Sequence, residues 1–342
     1  MKNFLPIFAI WFATQSFAQA TDSATYFYQK GIEEKTAKRY LVASQNFDKA
    51  IKLNPKYTAA YIDNGYANIE MRKTDAALTN FTKANELEPG NIVAINELMN
   101  LYFSYRQYTK AVAFAQQCTS CTGAEKIIAI SYFQQEDYGK AEKALLALLA
   151  KSPDDAEANY TLGRTYMEME QEKKAIQYYE KAVHLDTTRS AWLHELALLY
   201  YTVNDYKKAV VYFNKAANNG FPQSNDFSEN LGYSYIYAGE FDKGEKILLD
   251  LLAKKPGNKD ILRDIAQAYY DVKLYDKSLE FCQKLMEMDP KDAKALYQAG
   301  MCFQKKGQKD RGQAMCDKAI ELDPSLNKMK RQMQMGAGLL LQ

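Results

Sequence analysis

The chain has 342 residues, 47% of them hydrophobic and 25% charged, with 44 basic against 42 acidic side chains. That composition suits a protein that buries a core. The near-neutral balance excludes the basic footprint of a nucleic-acid or anionic-membrane binder, so no nucleic-acid partner is expected.

The first twenty residues read apart from the rest. Met1-Lys2-Asn3 is a short positive start, Phe4 to Ala13 is a ten-residue apolar run, and Ala18-Gln19-Ala20 has the small-x-small pattern of a signal-peptidase site. The run falls short of the about 20 apolar residues that a spanning helix needs. Residues 1–20 are therefore expected to be a signal peptide cleaved after Ala20. Residue 21 is Thr, which disfavours the lipoprotein route. No transmembrane segment is expected after cleavage, and the destination is periplasmic or secreted. Residues 21–24 read as a short disordered lead-in.

From there a single period runs along the chain. Prolines stand at 55, 89, 153, 222, 256, 290 and 324, all on one phase of a 34-residue repeat once a short third unit and a one-residue insertion after the sixth are allowed for. Proline cannot continue a helix, so each marks the end of a hairpin. Small residues recur at two further phases: Gly31, Gly65, Gly163, Gly232 and Gly300 at one, and Ala43, Ala77, Ala111, Ala141, Ala175, Ala209, Gly244, Ser278 and Gly312 twelve residues on. Bulky residues such as Phe47, Phe81, Tyr179 and Phe213 follow four residues later, and Ala50, Ala84, Cys118, Ala182 and Ala216 three further on. The i, i+4, i+7 spacing traces one face of a helix.

This pattern resembles the tetratricopeptide repeat family, with small residues at positions 8 and 20, aromatics at 11 and 24, Ala at 27 and Pro at 32. Nine copies start near residues 24, 58, 92, 122, 156, 190, 225, 259 and 293. The resemblance implies an all-α fold, a right-handed superhelical solenoid of about nine helical hairpins over residues 21–324. Leu326, Met329, Met333 and Ala337 mark residues 325–342 as a C-terminal capping helix and tail. The segment Asn218-Asn219-Gly220-Phe221-Pro222 carries the extra residue and reads as tolerated loop drift.

The residues offer no catalytic constellation, no cofactor motif and no metal set, so a non-enzymatic protein is expected. Cys118-Thr119-Ser120-Cys121 has redox or half-zinc spacing, but neither a thioredoxin-like setting nor further ligands accompany it. A structural disulfide between Cys118 and Cys121, or simple packing, is the preferred reading. Cys282, Cys302 and Cys316 read as apolar core residues.

In the resembled family the first helices line a concave groove through positions 2, 5, 9, 12 and 13. Carried over, these positions give Tyr66, Asn96, Asn100, Tyr160, Arg164, His194, Tyr201, Glu229, Tyr233, Arg263 and Tyr297 as partner-binding residues. Tyr and Arg are favoured at interface hot spots. The family's two-carboxylate clamp wants Lys at 5 and Asn at 9 of one repeat. Asn96 with Asn100 and Lys126 with Ile130 both break that pattern. The expected function is an exported scaffold holding a protein or peptide ligand in the groove, with binding concentrated around Tyr160, Arg164, His194 and Tyr201. A glycan- or peptidoglycan-binding module is the alternative, and homo-oligomers are compatible with either.

Overall fold

The structure, a computed structural model, describes residues 7–118 and 120–327, with side chains from residue 22 on. The described residues hold eighteen helices and no strand. They form an all-α solenoid of helical hairpins. The chain divides into two compact units, Met1–Gln171 and Glu172–Gln342.

The first unit contains α1 (Ile7–Thr36), α2 (Tyr40–Leu53), α3 (Thr58–Glu70), α4 (Thr74–Leu87), α5 (Ile92–Ser104), α6 (Tyr108–Ala115), α7 (Ala124–Gln134), α8 (Tyr138–Lys151) and α9 (Ala156–Glu168). The lead-in reading of residues 21–24 is corrected here. They lie inside α1, and Ala24 is fully buried. No Gly or Pro interrupts Ile7–Lys30, so the apolar run and the first hairpin helix continue as one. Among the described residues no helix is long and apolar enough to cross a membrane.

The second unit contains α10 (Glu172–Leu185), α11 (Ser190–Thr202), α12 (Tyr206–Asn218), α13 (Asn225–Tyr237), α14 (Phe241–Lys254), α15 (Lys259–Asp271), α16 (Tyr275–Met288), α17 (Ala293–Lys305) and α18 (Lys309–Leu322). Beyond these, Leu326 is buried against Tyr297, Met301 and Cys316. The rest of the expected capping helix lies outside the described residues.

The turns are built alike. Nine left-handed residues recur one position before the second helix's cap: Lys38, Arg72, Arg106, Glu136, Glu170, Asn204, Gly239, Lys273 and Gly307. Each lets the next amide reach back five residues, as in Arg39 N–H to Glu34 O at 2.9 Å and Gln308 N–H to Phe303 O at 2.9 Å. This is the Schellman closure that satisfies a helix's last carbonyls. An aromatic pair often spans the same turn: Phe103–Tyr108, Tyr201–Tyr206 and Tyr270–Tyr275 meet edge to face with centroids 5.5–5.9 Å apart. That geometry complements the ring quadrupole.

The small residues let paired helices touch. A Cβ on Gly65 would sit 2.6 Å from the Phe81 ring, and one on Gly312 would sit 2.5 Å from the Gly300 carbonyl oxygen. Cores run from hairpin to hairpin within each unit. Phe81 of α4 shares one with Leu98, Met99 and Tyr102 of α5 and Ala124 and Ile127 of α7. Ile236, Leu248, Ile265, Tyr269, Phe281 and Ala295 make the counterpart over α13–α17. A hairpin buries its second face only against its neighbour, as in any stacked-repeat protein.

The third repeat is the short one. Its second helix, α6, has 8 residues where the other second helices have 13 or 14. Cys118 follows it, 2% exposed, and is joined to Cys121 with Cα atoms 5.3 Å apart. Cys282, Cys302 and Cys316 are free and buried.

Candidate functional site

Each unit is taken by itself, starting with the first. Tyr66 projects from α3, half-buried, edge to face with Phe81 at 5.3 Å, and its hydroxyl donates to Glu97 of α5 at 3.2 Å. Burial, then the Glu97 carboxylate, push this phenol up to about 12. Asn96 is half-buried, whereas Asn100 is exposed and donates to the Asn96 carbonyl. Lys126 of α7, at the equivalent of Asn96, is held by Asp155 at 3.1 Å and Glu157 at 2.8 Å. Asp155 also caps α9 by accepting the Ala158 amide at 2.9 Å.

Arg164 of α9 has its guanidinium carbon 4.9 Å from the Phe133 ring centre and 5.9 Å from that of Tyr160. It makes no ion pair among the described residues. Glu157, a candidate partner by sequence spacing, is taken by Lys126 instead. An Arg stacked on an aromatic face keeps its planar donors available to a carboxylate or carbonyl.

In the second unit, three of the expected contact residues are turned to internal work. The His194 ring stacks on Phe221 at 4.1 Å, with Phe227 at 5.7 Å and Phe213 edge-on at 5.8 Å. The inserted segment before α13 therefore does more than drift. It brings Phe221 over a residue that position 5 would have exposed. Burial depresses the His194 pKa below 6.5, with Glu195 acting weakly the other way. A depressed imidazole favours folding only while neutral. Its contribution is complete above pH 6.5 and is lost as pH falls through the depressed folded value. We expect the melting temperature of the wild type to fall relative to His194→Gln as pH is lowered from about 7.5 to 5. A difference constant across that range would show a ring that titrates as in water.

Arg263 of α15 is the second. Its two terminal nitrogens donate to Asp260 at 2.8 Å and to Asp292 at 2.7 Å. Asp292, 7% exposed, also caps α17 through the Ala295 amide. Position 5 here ties one repeat to the next. Tyr297 is the third, 6% exposed and packed with Met301, Cys316 and Leu326. Both departures have one physical cause: the face that reaches the groove also meets the following hairpin.

A cavity of about 360 Å³ opens between α15 and α17, lined by Arg263, Asp264, Gln267, Lys294, Tyr297 and Gln298 among others. Two buried donors in its wall, Arg263 Nε and Gln298 Nε2, have no hydrogen-bond partner. Beside it, Tyr201 of α11, Glu229, Tyr233 and Tyr237 of α13, and Asp264 of α15 lie within electrostatic reach of one another. Glu229 and Tyr201 are half-buried, and the Tyr233 ring is 8% exposed. Tyr237 is stacked on Tyr206 at 4.6 Å and donates to Asp271 at 3.1 Å. Burial raises both the Glu229 and Asp264 carboxyl pKa values, and neighbouring carboxylates add to it. Asp264 was not legible as a site residue, because it falls at position 6, just off the expected groove positions.

Profiles of the tetratricopeptide repeat match residues 128–190, 193–218, 229–293 and 281–314. The chain belongs to the tetratricopeptide repeat family. Among curated proteins it is 27% identical over 164 residues to anaphase-promoting complex subunit 3 of Schizosaccharomyces pombe, covering 46% of this chain and 24% of that protein. It is 36% identical over 64 residues to human RNA polymerase II-associated protein 3, covering 19% and 10%. It is 21% identical over 192 residues to the human mitochondrial import receptor subunit TOM70, covering 52% and 31%. The chain thus spans about a third or less of the length of these relatives. Among solved structures, YrrB, described as a TPR protein with an unusual peptide-binding site, aligns at 21% identity and a TM-score of 0.37, covering 54% of this chain and 94% of that one. The P58(IPK) TPR domain aligns at 16% and 0.29, covering 92% and 99%. The chain is a repeat scaffold of a kind consistent with protein–protein interaction.

Proposed function

We propose that this protein is an exported, non-enzymatic scaffold that holds a polypeptide partner on the faces of its first helices. The observation that carries the reading is Arg164, stacked on Phe133 beside Tyr160 with no carboxylate of the described chain on its guanidinium. A stacked Arg with free planar donors is a common anchor for a partner's carboxylate or backbone carbonyls. Arg164→Ala is expected to weaken partner binding by about 1–3 kcal/mol while leaving the melting temperature nearly unchanged. Equal affinity for wild type and variant by calorimetry would remove Arg164 from the binding surface.

Export rests on the apolar run Phe4–Ala13 and on Ala18-Gln19-Ala20. N-terminal sequencing of the protein recovered from its host tests it: a chain starting at Thr21 supports export, and one starting at Met1 or Lys2 refutes it. The glycan-binding alternative relied on the open rings of Tyr160 and Tyr233. Burial of the Tyr233 ring withdraws half of that support.

A further inference from the structure

The acid–tyrosine cluster on α11, α13 and α15 has a feature that internal packing leaves unexplained. Glu229 and Asp264 face a common space, each raising the other's cost of ionisation or that of the tyrosines around them. Neither has an ion-pair or hydrogen-bond partner among the described residues. The neighbouring cation in sequence, Arg263, has its terminal nitrogens bonded to Asp260 and Asp292.

Independently, the Tyr233 hydroxyl is buried with no hydrogen-bond partner, on a side chain that is 8% exposed. It faces Asp264, Glu229, Tyr201 and Tyr237. A buried hydroxyl without a partner forfeits about 1–3 kcal/mol. Two carboxylates, one orphan hydroxyl and the rings of Tyr201, Tyr206 and Tyr237 share one requirement. They all favour a cation that can donate hydrogen bonds and lie against aromatic faces.

The adjoining cavity supplies the opposite chemistry. Asp264 lines it, and its unpaired donors, Arg263 Nε and Gln298 Nε2, suit carbonyl or carboxylate oxygens. An occupant that presents a cation beside acceptor oxygens is a polypeptide with a basic residue.

We infer that Glu229, Asp264 and the Tyr233 hydroxyl form a subsite for one lysine or arginine side chain of an extended polypeptide partner. This rests on the proposed scaffold function and names the partner chemistry at one place on it.

The test is to pan the purified full chain against a random heptapeptide display library. Enriched peptides are then measured by fluorescence anisotropy. Peptides should carry a Lys or Arg at a common position. Changing that residue to norleucine or citrulline should weaken binding by about tenfold or more, as should Glu229→Gln with Asp264→Asn on the protein. Combining the peptide and protein changes should cost little beyond either alone, since both remove the same contact. Tyr233→Phe should weaken binding by a few fold without altering the preference of the other positions. The single carboxamide variants and the altered peptides keep the result readable if the double variant fails to fold. Enriched peptides without a basic residue, or ones that bind the double variant as tightly as wild type, would overturn the subsite and leave the scaffold reading standing. If spermidine displaced the peptides at equal concentration, the polypeptide assignment would fall. No enrichment of any peptide would count against the scaffold reading itself and take the subsite with it.

Discussion

Phe81→Ala is expected to destabilise the first unit by about 3–5 kcal/mol, the range for removing a fully buried aromatic. Phe81 has no exposed surface and belongs to a core that joins α4, α5 and α7. Its ring also fills the space in front of Gly65, where no Cβ can move in to close the void. Because stacked repeats stabilise one another mainly through neighbours, the loss should appear as early melting of the first unit's hairpins. Gly65→Ala in the same background should return about 1 kcal/mol, since alanine favours the helix and its methyl enters the vacated space. Denaturant unfolding of the two variants measures both effects. A Phe81→Ala midpoint equal to that of wild type would contradict the described core.

Gly312→Val is expected to be at least as harmful to the second unit, by about 3 kcal/mol or more, at the upper end for overpacking. The obstruction is backbone. A Cβ at Gly312 would stand 2.5 Å from the Gly300 oxygen and 2.7 Å from the Gln304 nitrogen, so α17 and α18 would have to separate. Gly139 of α8 is the control: a Cβ there meets nothing within 4 Å, and Gly139→Ala should be neutral or slightly stabilising. If Gly312→Val unfolded at the wild-type denaturant concentration, the close approach of α17 and α18 would be wrong.

The fold was legible because close packing leaves marks that sequence can carry. Gly300 and Gly312 touch backbone to backbone, Phe81 fills the space before Gly65, and both relations repeat in phase along the chain. The candidate site was less legible, for reasons that particular residues make clear. Arg263 was read as a groove contact because position 5 was considered on its own helix. Its partner Asp292 stands 29 residues away, as the cap of the next first helix. His194 was exposed by the same reasoning, and Phe221, which covers it, comes from the one segment that breaks the period. Asp264 falls between groove positions and became visible only when α13 and α15 were side by side.

The left-handed turns carry an unequal load. Seven of them use a residue other than glycine, in a conformation that costs such residues about 1–2 kcal/mol. At Lys38, Arg72, Arg106 and Lys273 a cation sits where the preceding helix ends, and its attraction to the negative end of the helix offsets about 0.3–1 kcal/mol. Glu136 and Glu170 have the strain and the wrong sign of charge. The turns after α7 and α9 are thus the places where the backbone has least to lose by opening. Amide hydrogens there should exchange with solvent sooner than those at Gly239 or Gly307, and a protease given the folded protein should find its first cuts there.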